Sequence, residues 1–138
     1  MIVLVDTCVW SLALRRRRAD LDAREGQIVR MLEEVITEGR VRLLGVVRQE
    51  LLSGIRDKAQ CDRIATALRS FEDVPLSIDD YEEAATSDNR CRSAGLAVGT
   101  TDFLICAVAM RRNWAVFSTD QDFVRYRTVL PVNLIEAQ

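Results

Sequence analysis

The sequence of 138 residues contains no histidine and only one lysine, Lys58. Without histidine, the chain lacks a common zinc ligand and the general base that serine and cysteine hydrolases normally use. Its four cysteines form no Cys-x-x-Cys pair, so we do not expect a zinc site. Cys106 lies in the apolar run FLICAVAM and is expected to be a small buried hydrophobe, whereas Cys8, Cys61 and Cys91 are expected to be free thiols in a reducing compartment.

Long apolar segments and a strong net charge are also absent. No apolar run approaches the roughly 18 residues that a membrane helix requires. The N-terminus MIVLVDTCVW is apolar from its start, without a basic leader or a cleavage site, so it predicts a first strand and a cytoplasmic protein. The net charge of −2 gives no overall field that attracts nucleic acid, so basic residues must be considered locally.

The size and periodicity of the chain predict one α/β domain over residues 1–138. The predicted strands are residues 2–5, 41–46, 72–76, 115–118 and 129–135. The predicted helices are residues 9–14, 21–38, 48–54, 58–70, 77–95, 100–113 and 121–126. Because parallel strands need helical crossovers, this alternation predicts three α/β/α layers around a central, mostly parallel sheet of four to five strands.

Four acidic residues are predicted to meet at one edge of that sheet. Asp6 follows the first strand and Asp120 follows the strand AVFS. Glu50 lies in the first helical turn after the second strand, and Asp102 lies in the first turn of the apolar helix TTDFLICAVAMRRN. In such sheets, ligands bind beyond the carboxyl ends of the strands, where the strand order reverses.

Each of these acids has a simpler structural explanation when it is taken alone. Asp6 and Asp120 are suited to cap helices, and Glu50 and Asp102 to complement a helix dipole, for about 0.3–1 kcal/mol each. Carboxylates about 5 Å apart, however, repel by roughly 3 kcal/mol per pair at an effective dielectric of about 20. A fold that gathers them therefore indicates a divalent cation, and oxygen ligands favour Mg²⁺ or Mn²⁺. Hydrolysis of phosphodiesters by metal-activated water is the reaction that this site predicts.

Four motifs occur in an order and spacing that match a known family: VLVDTCVW, RQELLSG, TTDFLICAVA and FSTDQDF. The chain resembles the PIN domain and, within it, the VapC-type ribonuclease toxins of prokaryotic toxin–antitoxin pairs. The resemblance implies an Mg²⁺- or Mn²⁺-dependent endoribonuclease with Asp6, Glu50, Asp102 and Asp120 as catalytic acids. Asp6, Asp102 and Asp120 would bind the metal, and Glu50 would orient or deprotonate the attacking water.

The resemblance also concerns three residues around these acids. Ser118 stands where the family usually has Thr or Ser, and its hydroxyl is expected to orient an acid or a water molecule. Asp122 is a possible fifth acid, with capping of the turn before Phe123 as an equally good explanation. Cys8 departs from the family, which more commonly has Ser or Asn, and a thiol is a weaker hydrogen-bonding group.

RNA, a second copy of the chain and a VapB-type antitoxin are the partners that the resemblance implies. The antitoxin would wrap the toxin and place a basic side chain in the acidic pocket. The candidate phosphate contacts are Arg15, Arg16, Arg17, Arg18, Arg111, Arg112, Arg125 and Arg127. A solvated helix end explains the first four at least as well, and the adjacent pair suits the C-terminus of a helix.

Two other classes of protein are compatible with acids at strand ends. A PIN-like module could bind RNA or metal without cleavage, because activity depends on exact placement of the groups. A phosphoacceptor receiver domain normally has an adjacent acidic pair after its first strand and a lysine after its last. Here Asp6 is alone, and Lys58 lies in a mid-chain helix, so the receiver interpretation is the weaker one.

Overall fold

A computed structural model of the chain describes residues 1–97 and 99–135, in which short strands alternate with helices. The strands are β1 (Val3–Val5), β2 (Val41–Arg42), β3 (Ala115–Phe117) and β4 (Asn133–Ile135). The helices are α1 (Thr7–Leu14), α2 (Ala23–Thr37), α3 (Gly45–Leu52), α4 (Lys58–Leu68), α5 (Ile78–Ser93), α6 (Thr100–Arg112) and α7 (Gln121–Tyr126). A 3₁₀ turn at Arg18–Asp20 precedes α2.

The four strands form one sheet in the order β2-β1-β3-β4, and every pair is parallel. Val3 lies opposite Val41 on one side and Ala115 on the other, so β1 and β3 are the two central strands. From β1 the chain crosses to β2 on one side and later returns to β3 on the other side. The strand order therefore reverses between β1 and β3, and a crevice is expected beyond their carboxyl ends. The predicted α/β/α architecture with a parallel sheet is confirmed.

Burial explains why the two central strands and one helix hold the domain together. All residues of β1 and β3 are buried, as expected for strands that are covered on both faces. Helix α6 packs on both strands and on α5, and its residues 103–109 are all buried. Helix α1 packs on α2 and α3. Asp102 thus lies at the boundary between this fully buried run and the exposed first turn of α6.

The second predicted strand is shorter than expected, and the predicted strand at residues 72–76 is wrong. Strand β2 covers only Val41–Arg42, and α3 already begins at Gly45 instead of at residue 48. The segment 72–76 contributes a single parallel bridge between Leu43 and Asp73. Pro75 follows closely and cannot donate to a ladder, which explains why the pairing stops there.

Capping side chains set several helix boundaries within one or two residues of the prediction. Asp6 caps α1 by accepting from the backbone of Thr7, so that helix begins two residues before the predicted position. Asp22 forms a capping box with Glu25 at the start of α2. At the end of α2, Gly39 has a positive φ of 71°, which glycine tolerates without strain.

A buried ion pair explains the two arginines at the end of α6. Asp80, in the first turn of α5, is fully buried, and its Oδ1 accepts from Arg111 at 2.6 Å and Arg112 at 2.7 Å. The backbone N–H of Ser77 donates to the other carboxylate oxygen. Arg111 and Arg112 do lie in the last turn of α6, as the helix-end explanation predicts, and the contacts add an ion pair with Asp80 that the sequence does not predict.

The state of the cysteines and the length of the apolar helices were both expected from the composition and can be compared with the structure. All four cysteines are free thiols, and Cys106 is fully buried, as predicted. In the described part of the chain, none of the helices combines the length and the apolar character needed to cross a membrane.

Candidate functional site

The polar side chains that follow the central strands lie side by side at the point where the strand order reverses. Asp6 follows β1 directly, and its backbone N–H donates to the carbonyl of Phe117 at the end of β3. Ser118 is the next residue after that strand, and its hydroxyl donates to Asp6 Oδ2 at 2.8 Å. The backbone N–H of Asp120 donates to the same hydroxyl at 3.0 Å. Ser118 therefore connects the acids of the two strands.

The carboxylate of Asp6 is buried and held by donors on both oxygens. Oδ1 accepts from the backbone N–H of Thr7 at 2.8 Å, and Oδ2 accepts from Ser118 and from the thiol of Cys8 at 3.4 Å. Burial raises the pKa of Asp6 above its ordinary value, although the hydrogen bond from Ser118 opposes this shift. The negative charge of Asp120 also raises the pKa of Asp6, by less than burial does.

Cys8 lies within this network as a protonated thiol. Its sulfur is 3.4 Å from the hydroxyl of Ser118 and accepts from the Thr119 hydroxyl at 3.2 Å. Burial raises the pKa of the Cys8 thiol, and the charge of Asp6 raises it further. A thiol with a raised pKa is a poor nucleophile at neutral pH. Cys8 is therefore placed to support Asp6 and Ser118 rather than to attack a substrate.

Three acids form a compact group that could hold a cation. Asp102, Asp120 and Asp122 each offer one carboxylate oxygen, and these oxygens lie within 4.8 Å of one another. Burial raises the pKa of Asp102 to about 6, and the charges of Asp6, Asp120 and Asp122 contribute to the shift. These three residues are called the acidic cluster below. Such crowding is unfavourable without a cation, because neighbouring carboxylates repel.

The structural explanations of the individual acids hold only in part. Asp120 does cap α7, because its Oδ1 accepts from the backbone N–H of Asp122 at 2.9 Å. Of the two explanations for Asp122, capping of the turn before Phe123 is wrong, since Asp120 occupies the cap position. Asp122 is instead a member of the acidic cluster and pairs with Arg125 at 2.5 Å. A helix cap can thus also belong to a group of converging acids.

Glu50 lies beside Asp6 but outside the acidic cluster. The hydroxyl of Thr7 donates to Glu50 Oε2 at 2.9 Å, while the backbone N–H of the same residue binds Asp6. Glu50 is exposed and lines an open cleft of about 410 Å³ together with Thr7, Ser53 and Thr101. The structure therefore brings the four predicted acids to one edge, with Glu50 reaching Asp6 through Thr7.

The basic residues near the end of α1 are largely committed to neighbouring acids. Three of them form ion pairs: Arg16 with Glu25, Arg17 with Asp20, and Arg18 with Glu33. The side chain of Arg15 is exposed and has no ion pair within residues 1–97 and 99–135. These contacts support a solvated helix end for most of the run and leave Arg15 available to other partners.

Three residues of the site are not predicted from the sequence: Thr7 and Tyr126, which bind predicted acids, and Thr119, which binds the Cys8 sulfur. Tyr126 is buried, and its hydroxyl donates to Asp102 Oδ2 at 2.9 Å. Burial raises the pKa of Tyr126, and the hydrogen bond to Asp102 and the charges of nearby acids raise it further, so the phenol stays protonated. The spacing of Phe123 and Tyr126 in QDFVRY indicates a buried face, and a buried tyrosine hydroxyl needs a partner. That signal identifies a buried polar contact without identifying its partner.

Comparisons with known proteins concern the family and the fold of the chain. The family model described as PIN domain matches residues 3–129. The fold is similar to a chain of VapBC2 from Rickettsia felis, solved with a DNA fragment from their promoter, with a TM-score of 0.75, 16% identity and 98% coverage of both chains. A chain of FitAcB from Neisseria gonorrhoeae has a TM-score of 0.75 and 20% identity, with 99% of this chain and 98% of that chain covered.

A third similar structure is that of VapBC-5 from Mycobacterium tuberculosis, a member of the VapBC family of toxin–antitoxin systems. It has a TM-score of 0.68 and 20% identity, and 99% of each chain is covered. At such identities the likeness concerns the fold. The sequence itself matches no curated protein significantly.

Proposed function

The chain belongs to the PIN-domain family, and we propose that it is a metal-dependent endoribonuclease that acts as the toxin of a toxin–antitoxin pair. Residues 1–138 would form a single PIN domain. The observation that carries this proposal is the convergence of Asp102, Asp120 and Asp122 within 4.8 Å beside the buried Asp6. Carboxylates this close repel one another, and a bound cation would remove that repulsion.

The side chains at this edge fit Mg²⁺ or Mn²⁺. The donors are carboxylate oxygens, which hard divalent cations prefer, and His is absent from the whole chain. Asp6, Asp102 and Asp120 are proposed as metal ligands, and Asp122 is proposed as a further ligand because its carboxylate belongs to the acidic cluster. When bound, the metal polarises a phosphoryl oxygen and lowers the pKa of water, which is the chemistry required for phosphodiester hydrolysis.

Other residues of the site orient these acids, and one of them, Glu50, is proposed to accept a proton from the attacking water. Ser118 and Cys8 hold one oxygen of Asp6, and the Thr7 backbone holds the other, so that this carboxylate has a defined orientation. Thr7 also holds one oxygen of Glu50. The other oxygen of this exposed carboxylate is proposed to orient the attacking water or to accept its proton.

The proposed partners follow from the same assignment. RNA would approach the acidic edge, and Arg15 is the member of the run Arg15, Arg16, Arg17 and Arg18 that is best placed to contact phosphate, because its three neighbours are paired. The similar VapBC structures support a VapB-type antitoxin as partner. A guanidinium of that partner would complement the charge of the acidic cluster. A homodimer and a cytoplasmic location are part of the proposal.

Cleavage of RNA by the purified chain tests the reaction. We expect cleavage with Mg²⁺ or Mn²⁺, loss of cleavage on addition of a chelator, and loss in the variant Asp6→Asn. The exposed Asp62, which pairs with Lys58 on the surface, provides the control Asp62→Asn, which should cleave normally. Equal cleavage by Asp6→Asn and the unmodified chain would refute the mechanism. Metal and RNA binding without any cleavage would instead favour a binding module.

Expression in cells tests the toxin role separately. The unmodified chain should arrest growth when it is expressed alone, Asp6→Asn should not, and the antitoxin encoded beside it should relieve the arrest. Normal growth at a level where the soluble chain is detected and retains nuclease activity would contradict the toxin role.

A further inference from the structure

The hydroxyl of Tyr126 touches the acidic cluster from its buried side. We propose that Tyr126 is a positioning residue of the metal site, because its hydroxyl holds one oxygen of Asp102 and thereby directs the other oxygen to the cation. This inference rests on the proposed function, in which Asp102 is a metal ligand. It assigns a role in cation binding to a side chain that contributes no ligand atom itself.

The position of Tyr126 is fixed from several sides. Its side chain is 1% exposed, and its ring packs against Phe103 of α6 and Phe123 of α7, with centroid distances of 5.6 and 5.4 Å. The hydroxyl donates to Asp102 Oδ2 at 2.9 Å, a good distance for a hydrogen bond to a carboxylate. These contacts restrain the ring and therefore the position of its hydroxyl.

The orientation of the Asp102 carboxylate depends on the Tyr126 hydroxyl more than the orientation of the Asp6 carboxylate depends on any single donor. Both oxygens of Asp6 accept hydrogen bonds, from three donors in all. Within residues 1–97 and 99–135, Tyr126 is the one hydrogen-bond donor to Asp102, and Oδ1 has none. The terminal torsion of an aspartate side chain has broad preferences, so an unrestrained carboxylate would rotate. The tyrosine hydroxyl removes that freedom and leaves Oδ1 for a cation.

A side chain that hydrogen-bonds a metal ligand affects the affinity of the site for its metal. Loss of such a partner commonly costs about 10- to 100-fold in metal affinity or activity. Replacement of Tyr126 by phenylalanine removes only the hydroxyl and keeps the ring between Phe103 and Phe123. The variant therefore isolates the hydrogen bond to Asp102 from the packing of α7.

Binding of Mn²⁺ to the full chain, followed by electron paramagnetic resonance, tests the proposal without RNA. Tyr126→Phe should bind Mn²⁺ about 10- to 100-fold more weakly than the unmodified chain. Tyr81→Phe, which removes the hydroxyl of a 56% exposed tyrosine, should bind Mn²⁺ normally. Cleavage by Tyr126→Phe should need correspondingly more Mn²⁺ for half-maximal rate and should approach the normal rate at saturation. Unchanged Mn²⁺ affinity in Tyr126→Phe would overturn the proposal.

A second variant separates positioning from general packing. Phe71→Leu weakens a ring pair that does not include Tyr126, that of Phe71 with Trp10, so its Mn²⁺ affinity should stay near that of the unmodified chain when measured below its unfolding temperature. An equal loss of affinity in Phe71→Leu and Tyr126→Phe would overturn the positioning role. If the unmodified chain binds no Mn²⁺, the proposed function fails together with this inference. Binding without RNA cleavage contradicts only the nuclease assignment.

Discussion

The variant Asp102→Asn should make the metal-free protein more stable. Asparagine has nearly the same shape as aspartate, and its carbonyl oxygen can still accept the hydrogen bond from Tyr126. The substitution removes a partly buried charge that interacts unfavourably with Asp120 and Asp122. If the acids are crowded because a cation normally neutralises them, removal of one charge without the cation must stabilise the fold.

The expected gain follows from the separation of the oxygens. At about 4.8 Å, two unit charges repel by about 3.5 kcal/mol at a dielectric of 20 and by about 0.9 kcal/mol in water. Because Asp120 is exposed and Asp122 is half-buried, we take about 1 kcal/mol for each of the two pairs. The substitution also removes the cost of keeping a charge in a partly buried place. Together these effects should raise the free energy of unfolding by about 2–3 kcal/mol. The melting temperature should then rise by about 6–12 °C.

Thermal unfolding of three proteins, with chelator and then with excess Mn²⁺, provides the assay. In chelator, Asp102→Asn should unfold at a higher temperature than the unmodified chain, whereas the surface control Asp62→Asn should change by less than about 0.5 kcal/mol. With Mn²⁺ at about 100 times its dissociation constant, the unmodified chain should gain about 2.7 kcal/mol and the variant much less. A variant that is less stable than the unmodified chain in chelator would refute the crowding argument.

Three further predictions concern other parts of the molecule. Asp80→Asn should lower the free energy of unfolding by roughly 3 kcal/mol at pH 7, because it leaves two guanidinium groups without their buried carboxylate. Asp79→Asn, at the exposed neighbouring acid, should lower it little. Urea unfolding measures both variants. The bonds from both arginines hold the pKa of Asp80 well below its usual value, so this stabilisation is present above about pH 4 and is lost as the pH falls further, and the difference between Asp80→Asn and the unmodified chain should shrink in acid. Cys8→Ser should keep or increase the cleavage rate, since a hydroxyl is the stronger donor to the neighbouring carboxylate, and a large loss would show that the thiol has a specific role. Arg15→Ala should weaken RNA binding in a filter assay more than Arg18→Ala, because the latter guanidinium is paired with an acid; the reverse order would contradict the proposed contact.

Local patterns explain why most of the fold was predictable. The apolar run that became β1 and the apolar run of α6 are each buried as their composition indicates. Capping residues such as Asp22 and Asp57 act over three residues or fewer, so they mark helix starts in the sequence itself. The errors lie where pairing depends on a distant partner. Residues 72–76 form only one bridge, next to a strand β2 of two residues. No local pattern in the sequence shows that β2 is so short.

The candidate site was predictable at the level of which acids follow which strands, but not at the level of which oxygens meet. Asp6 and Asp120 were identified because parallel strands end at a common edge, and both do lie there. The acidic cluster includes Asp122, for which the sequence supports two explanations, while Glu50 is linked to Asp6 through Thr7. The distances depend on how α3 and α7 approach the sheet, and single-sequence patterns carry no such information.

Apart from the segment 72–76, the sequence by itself determined the order of strands and helices along the chain, the absence of histidine from any site, and the acids available at the carboxyl ends of the central strands. These properties are local, because burial, capping and ligand chemistry depend on residue type and near neighbours. Only the tertiary structure decided that Asp102 shares a cluster with Asp122 and receives its hydrogen bond from Tyr126. Residues far apart in sequence come within hydrogen-bonding distance only when the packing of whole helices on the sheet sets their positions.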